Sequence, residues 1–220
     1  MPAPASTLRR GGRPSRAESE ELAGRILAQA RSQFLSQGYG ATSIEAVVQA
    51  CQISKRTFYH RFPDKAALFA AVVHEIVESL RPPTGVPLIH GQTLREQLVW
   101  LSRLILAGGL APEALALYRM IVSEAARFPD LAHAVLAEGG SREALTLISR
   151  MLRAAPESHG LAPDRATLLA EQFLHMVLSL PRQRALGLGT PMQEGELVRW
   201  AEDVVMVFLS GILGHPTTPG

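Results

Sequence analysis

The sequence predicts an all-α protein, and three observations favour this fold class. Apolar residues make up 47% of the 220 residues, which is ample for a buried core. Aromatic residues are sparse, at 5%, while Leu and Ala are abundant. Apolar residues recur at helical spacing between capping residues, Gly and Pro, and β-branched residues rarely alternate with polar ones. The chain is therefore predicted to be a series of amphipathic helices.

The first helix is expected to begin near Arg16, because Ser15 and Glu18 fit a capping box. Gly38 is placed to end this helix in a left-handed conformation. One stripe at helical spacing is predicted to face the core, and it consists of Leu22, Ala23, Ile26, Leu27, Ala30 and Phe34.

A second, short helix is predicted to follow. Thr42 is expected to cap it, and Glu45 is expected to complete the capping box. Its inward face is expected to hold Ile44, Val47 and Val48. The helix runs up to Cys51, the single cysteine, which excludes an internal disulfide and is predicted to be a small buried apolar residue.

Ser54 is predicted to cap the third helix, with Ile53 and Phe58 forming a hydrophobic staple. Phe58 and Phe62 lie four residues apart and are expected to face the core, and Pro63 ends the helix. The remaining faces carry polar, cationic and aromatic side chains, namely Lys55, Arg56, Thr57, Tyr59, His60 and Arg61.

Asp64 is predicted to cap a longer fourth helix that begins at Lys65 and stops before Pro82. A cation in the first turn is unfavourable to the helix dipole, so Lys65 is expected to have another partner. These helices form one predicted domain over residues 16–80, and residues 81–92 have the composition of a linker.

A larger helical domain is predicted over residues 93–214, before a short tail at 215–220. Thr93 and Glu96 make a capping box that opens a helix reaching Gly108. Further helical patterns run over Pro112–Arg127, Pro129–Ala137, Ser141–Ala155, Pro163–Leu180 and Gln193–Leu213.

The formal charge of +2 is unevenly distributed along the chain. Residues 1–76 hold ten Lys or Arg against six Asp or Glu, whereas the remainder holds twelve against fourteen. The surplus comes from arginines near the start, namely Arg9, Arg10, Arg13 and Arg16. A flexible basic arm over residues 1–15 suits a polyanion, and a disordered solubilising tail is the alternative.

A short helix, a tight turn and a second short helix with a cationic, aromatic surface are typical of a DNA-reading helix-turn-helix. In that arrangement the first turn of the second helix, here Lys55, Arg56 and Thr57, meets base edges. The alternative is a solvated face on an ordinary helical core.

The segment Thr42 to Phe69, "TSIEAVVQACQISKRTFYHRFPDKAALF", resembles the DNA-binding domain of the tetracycline-repressor (TetR) family of bacterial transcriptional regulators. The shared features are Thr42-Ser43-Ile44, Ile53-Ser54-Lys55, Thr57-Phe58-Tyr59, Arg61-Phe62 and Lys65 with Leu68-Phe69. The resemblance covers roughly Ser15 to Val77, and "GGRPSR", which contains Arg13, is similar to the family's basic arm. Gln52 stands where the family often has a turn glycine.

The resemblance implies a set of DNA contacts. Thr42 and Ser43 would touch phosphate. Lys55, Arg56 and Thr57 would face the bases of a double-stranded operator. The residues that would hold the DNA backbone are Tyr59, His60 and Lys65.

The stretch from Leu117 to Gly139 resembles the ligand and dimer domain of one TetR subgroup, often associated with control of efflux genes. The resemblance implies a homodimer through the last two long helices, with packing inside the monomer as the alternative. It also implies a small-molecule effector among the middle helices. The candidate walls are Trp100, Leu104, Tyr118, Met151, Phe173, His175 and Met176, each of which is alternatively plain core.

Other classes find little support in the sequence. It contains no HExxH, no glycine-rich phosphate loop and no GxSxG, and its histidines lack metal-ligand spacing, so neither an enzyme, a metal site nor a cofactor is expected. No apolar run approaches the roughly 20 residues of a membrane span, and the N-terminus lacks a signal-peptide core, so a cytoplasmic location is expected.

The expected function is a sequence-specific DNA-binding transcriptional regulator, most often a repressor in this family, released from its operator by an effector. The alternative is a helical interaction module whose basic arm binds acidic partners.

Overall fold

A computed structural model describes residues 16–129, 131, 140–156 and 160–213, and within these residues the secondary structure is helical, without a strand. The described helices are α1 (Arg16–Gln37), α2 (Ile44–Ala50), α3 (Lys55–Tyr59), α4 (Lys65–Ser79), α5 (Leu94–Gly109), α6 (Pro112–Glu124), α7 (Gly140–Ala154), α8 (Pro163–Ala185) and α9 (Glu194–Leu213). The all-α prediction is confirmed. The predicted arm, the Ser15 cap, the tail and almost all of the predicted helix Pro129–Ala137 lie outside the described residues.

The first helix follows its apolar pattern. Ile26, Ala30 and Phe34 are buried on one face of α1. Gly38 ends the helix with a φ of +89°, and its N–H donates to the Phe34 carbonyl at 3.0 Å. The left-handed end predicted at Gly38 is therefore confirmed, because glycine adopts this conformation without a Cβ clash.

The cap of α2 is Ser43, and the prediction of Thr42 as the cap is wrong. The Ser43 hydroxyl accepts from the N–H of Ala46 at 3.1 Å. Thr42 is only 3% exposed, and its hydroxyl donates to the Gly38 carbonyl at 2.8 Å. Carbonyl groups at the end of a helix lack partners within the helix. The Thr42 hydroxyl bonds to such a carbonyl after α1, and Ser43 therefore provides the cap of α2.

The caps of α3 and α4 and the buried anchor of α3 form as predicted. Ser54 accepts from the N–H of Thr57 at 3.0 Å, and Asp64 accepts from the N–H of Ala67 at 2.7 Å. Phe58 is fully buried. Gln52 in the turn between α2 and α3 has a φ of +54°, a left-handed conformation that the family often gives to glycine and that a non-glycine residue adopts at some cost.

In the C-terminal half, α8 runs past its predicted end at Leu180 through Pro181 to Ala185. A proline cannot donate to the carbonyl four residues before it, which for Pro181 is that of Val177. The indole N–H of Trp200, on α9, donates to this carbonyl at 2.8 Å. The helix therefore continues because a side chain from another helix supplies the missing hydrogen bond.

The remaining boundaries agree closely with the sequence. The capping box of Thr93 and Glu96 is present at the start of α5. Helix α6 ends at Glu124, slightly before the predicted Arg127. The other predicted helices of this half, α7 and α9, begin and end within one residue of the expected positions.

Two hydrophobic clusters organise the described residues. One joins α5, α7, α8 and α9 around Leu98, Leu152, Phe173 and Val205. The other joins α1 to α4 and also contains Leu117 and Met120 of α6. Helix α6 therefore packs into the core of the N-terminal domain, although it lies beyond the linker in sequence.

No single helix among the described residues has both the length and the hydropathy to cross a membrane. Among the helices that the structure describes, one pair, α5 and α6, meets these criteria together, across a 72° bend.

Candidate nucleic-acid interface

The outer face of α3 carries five of the six polar residues that the sequence assigned to it, the exception being Arg61. Lys55, Arg56 and His60 are exposed, Tyr59 is 48% exposed and Thr57 is half-buried. Phe58, on the opposite face, fixes the helix to the core, since its ring packs 5.7 Å from that of Phe62 between centroids. The short helix thus presents cations, a hydroxyl and an aromatic ring on one surface.

Lys55 is paired with Glu45, the acid predicted to complete the capping box of α2. Its Nζ lies 2.5 Å from Oε1 of Glu45 on α2, and both side chains are more than half exposed. The hydrogen bond from Lys55 holds the pKa of Glu45 below its usual value, and the same bond raises the pKa of Lys55. The positive charge of Lys55 is therefore matched within the protein before any polyanion arrives.

At the start of α2, Ser43 is the exposed hydroxyl, whereas Thr42 offers almost no side-chain surface. Arg61 points away from the α3 face, and its guanidinium donates to the Ser19 hydroxyl at 2.8 Å. Arg13 lies outside the described residues.

Lys65 has the additional partner that its unfavourable position at the start of α4 predicted. Its Nζ lies 4.3 Å from the centroid of the Tyr39 ring and 3.4 Å from the Gly40 carbonyl oxygen. Burial lowers the pKa of Lys65, an effect opposed by the nearby Glu124 carboxylate. The ammonium is therefore engaged with the loop between α1 and α2.

The seven predicted effector contacts lie in several environments and not around one described cavity. Phe173 is fully buried against Phe208, with ring centroids 4.7 Å apart, and the Trp100 indole donates to the Pro87 carbonyl at 2.8 Å. Tyr118 is 39% exposed, and the guanidinium of Arg182 lies 4.4 Å from its ring centroid. The remaining four are Leu104 and Met176, which are half-buried, His175, which is exposed, and Met151, which is buried.

One open cleft of about 470 Å³ lies between the linker, the start of α5 and the end of α7. It is lined by Ile89, Gln92, Thr93, Leu94, Gln97, Arg150, Met151, Ala154, Ala155 and Pro156. Met151 is the single predicted effector contact among these lining residues.

The last two helices have an apolar outer face as well as an apolar inner one. Val204, Val205 and Phe208 are buried inside the monomer. In contrast, Leu168 on α8 is 45% exposed and Val207 on α9 is 58% exposed. The side chains of Ile212 and Leu213, at the end of α9, lie outside the described residues.

Over the ranges that the structure describes, no three His, Cys, Asp or Glu side chains come together as a metal site. The geometry is that of a small helical domain presenting a cationic helix, joined through α6 to a larger helical domain.

Comparison with known proteins identifies this arrangement. Residues 26–72 match the model of bacterial regulatory proteins of the tetR family, and residues 96–211 match the C-terminal domain of AefR-like transcriptional repressors. The chain belongs to the TetR family. It is therefore a DNA-binding transcriptional regulator with a helix-turn-helix formed by α2 and α3.

Solved structures of TetR-family members agree over nearly the whole chain. The flavonoid-responsive regulator FrrA is 30% identical, covers 87% of this chain and 97% of its own, and has a TM-score of 0.71. A TetR-family regulator from Mesorhizobium loti is 29% identical, covers 90% and 98%, and has a TM-score of 0.66. A relative from Pseudomonas syringae pv. tomato, at 23% identity, covers 85% and 94% with a TM-score of 0.63 and supports the fold alone.

Proposed function

We propose that this TetR-family regulator is a homodimeric, cytoplasmic repressor that binds a specific DNA operator and leaves it when a small molecule binds. The observation that carries the proposal is the exposed face of α3. Lys55, Arg56, Tyr59 and His60 are exposed there, while the buried Phe58 anchors the helix to the core. Such a helix is held rigidly enough to enter a major groove and is polar enough to bind there.

The proposed division of labour on DNA follows from position. Lys55, Arg56 and Thr57 form the first turn of α3 and would meet base edges, where Lys and Arg suit guanine acceptors. Tyr59 and His60, at the other end of the helix, would bind phosphates, as would Ser43 at the exposed start of α2. Arg13 in the basic arm would add a phosphate or minor-groove contact. Thr42 would support the loop through its bond to Gly38 instead of touching DNA through its side chain.

A dimer is supported by the outer face of α8 and α9, where Leu168, Met206 and Val207 are exposed. Exposed apolar side chains on two long neighbouring helices suit a four-helix bundle with a second copy. Two recognition helices can then reach half-sites about 34–36 Å apart on one side of the DNA.

An effector is supported by the relation to FrrA, a regulator whose name states that it responds to flavonoids. By analogy, the C-terminal domain would bind a small organic molecule, with the cleft beside Met151 as its access route and the aromatic core around Phe173 as the apolar surface that it would contact. Effector binding would favour a dimer geometry whose recognition helices no longer fit adjacent major grooves.

A DNase I footprint across the DNA flanking the protein's own gene tests the repressor proposal. We expect a protected segment with twofold sequence symmetry, since a C2 dimer reads two equivalent half-sites. Protection should disappear when a compound that binds the C-terminal domain is added. Uniform protection of all sequences would support the alternative in which only the basic arm engages DNA, and protection that no bound compound removes would contradict effector release.

A further inference from the structure

The carboxylate of Glu124, at the end of α6, accepts hydrogen bonds from two consecutive backbone N–H groups in the loop between α1 and α2. The N–H of Tyr39 donates to Oε1 at 2.9 Å, and the N–H of Gly40 donates to Oε2 at 2.6 Å. Hydrogen bonds to a charged acceptor are shorter and stronger than neutral ones. The partners lie 85 and 84 residues apart in sequence, so this is a contact between the two halves of the molecule.

Two glycines leave the space that this contact needs. A Cβ at Gly38 would overlap Oε1 of Glu124, and the φ of +89° there also disfavours a side chain. A Cβ at Gly40 would lie 3.1 Å from Oε2 of Glu124 and 3.1 Å from Cε2 of Phe128. The loop therefore approaches the end of α6 closely enough that only small residues fit.

The Tyr39 side chain fixes the same loop from the other side. It is 7% exposed, and its ring lies against those of Phe34, Phe69 and Phe128, with centroid separations of 5.6, 5.3 and 5.2 Å. These rings come from α1, α4 and the segment after α6. Lys65 covers the Tyr39 ring and is also drawn towards the Glu124 carboxylate. The loop is thus held between groups from both domains.

The position of this loop decides where the helix-turn-helix begins. The Gly38 carbonyl accepts from both the N–H and the hydroxyl of Thr42, at 3.3 and 2.8 Å, and Ser43 then caps α2. Since α3 follows α2 after a tight turn, a displacement of the loop moves both helices.

Helix α6 is attached to the N-terminal domain at its other end too. Glu113, in its first turn, pairs with Arg31 of α1. Between the two ends, Leu117 and Met120 are buried in the N-terminal core. A shift of α6 relative to α1 would therefore break the Glu124 contact or carry the loop with it.

We propose that Glu124 is a positioning residue for DNA binding. By holding the Tyr39–Gly40 backbone it sets the placement of α2 and α3, and it ties that placement to the C-terminal domain without touching DNA. This inference rests on the proposed operator binding.

The test is the variant Glu124→Gln, measured by fluorescence anisotropy on operator DNA over a salt series. A glutamine oxygen can accept one of the two N–H groups, but its amide nitrogen would face the other. Removing a negative charge should by itself strengthen DNA binding, so a loss of affinity has the opposite sign to the charge effect. We expect about tenfold weaker operator binding and a shallower dependence of log K on log salt, because misplaced recognition helices neutralise fewer phosphates.

Glu194→Gln is the matched control, since it removes the same charge from an exposed site at the start of α9. It should leave the salt slope unchanged, and it should leave the affinity unchanged or raise it slightly through the charge effect alone. A loss of folded protein alone would lower the active fraction while leaving the slope as in the wild type. The slope therefore separates positioning from a general loss of stability.

Wild-type affinity and slope in Glu124→Gln would overturn the inference while leaving operator binding established. Absence of operator preference in the wild type would instead overturn the proposed function on which the inference rests. Should Glu124→Gln fail to fold, Gly40→Ala provides the same test, because its Cβ would press on both Glu124 and Phe128. Amide exchange at Tyr39 and Gly40 should be faster in either variant than in the wild type, and unchanged exchange would contradict the contact itself.

Discussion

Replacing Trp200 by Phe should lower the free energy of unfolding, because it deprives the Val177 carbonyl of its donor. The Trp200 indole N–H lies 2.8 Å from that oxygen, and Pro181 cannot supply the usual helical bond. Val177 is fully buried. Leaving a buried acceptor without a partner costs about 1–3 kcal/mol, and the smaller ring loses some packing as well.

A double-mutant cycle with Pro181→Ala separates the hydrogen bond from the packing. Alanine restores an N–H at position 181, which can donate to the Val177 carbonyl, so Trp200→Phe should cost about 1 kcal/mol less in that background. Urea unfolding at one fixed protein concentration, followed by circular dichroism, measures all four free energies. Equal costs of Trp200→Phe in both backgrounds would refute the explanation of how α8 passes its proline.

Four further outcomes are expected. Lys55→Ala and Tyr59→Ala should each abolish specific DNA binding in anisotropy while leaving the urea transition unchanged, because both side chains point outward; retained affinity would contradict the α3 interface. Glu45→Gln frees Lys55 and should raise affinity for scrambled DNA on the order of two- to fivefold at low salt, with no rise if the pair is irrelevant in solution. Val207→Glu should shift the sedimentation mass from a dimer towards the 23.8 kDa monomer, and an unchanged dimer would place the interface elsewhere. Because burial raises the pKa of the Cys51 thiol, the thiolate is scarce at pH 8 and a disulfide reagent should label native protein slowly until it unfolds; fast labelling would contradict its burial.

The features that the sequence predicted correctly are formed by contacts between residues close together in the chain. The caps at Ser54, Asp64 and Thr93 each join groups three residues apart, so the pattern of residue types determines them. Helix faces such as that of α1 follow from helical periodicity in the same way. The exposed polar face of α3 was predictable for the same reason, since the helix is local in sequence and its inward face is marked by Phe58.

The features that the sequence did not predict are formed by hydrogen bonds whose partners depend on the tertiary fold. The sequence predicts that α8 ends at Leu180 because a proline normally stops a helix, whereas the compensating donor is Trp200, far along the chain on α9. Thr42 is predicted as a cap because it stands three residues before Glu45, whereas its actual bond to the Gly38 carbonyl depends on how the loop folds back. Glu124 gave no signal at all, since its hydrogen-bond partners are backbone groups, which have no residue type to recognise.

The proposed function depends on sequence readout by the α3 face. Anisotropy of the wild-type protein and Lys55→Ala on DNA flanking its own gene and on a scrambled duplex, over a salt series, tests it most directly. We expect a saturable preference of the wild type for the flanking DNA that survives rising salt and is lost in Lys55→Ala. Equal binding of the wild type to both duplexes, erased by salt, would contradict it.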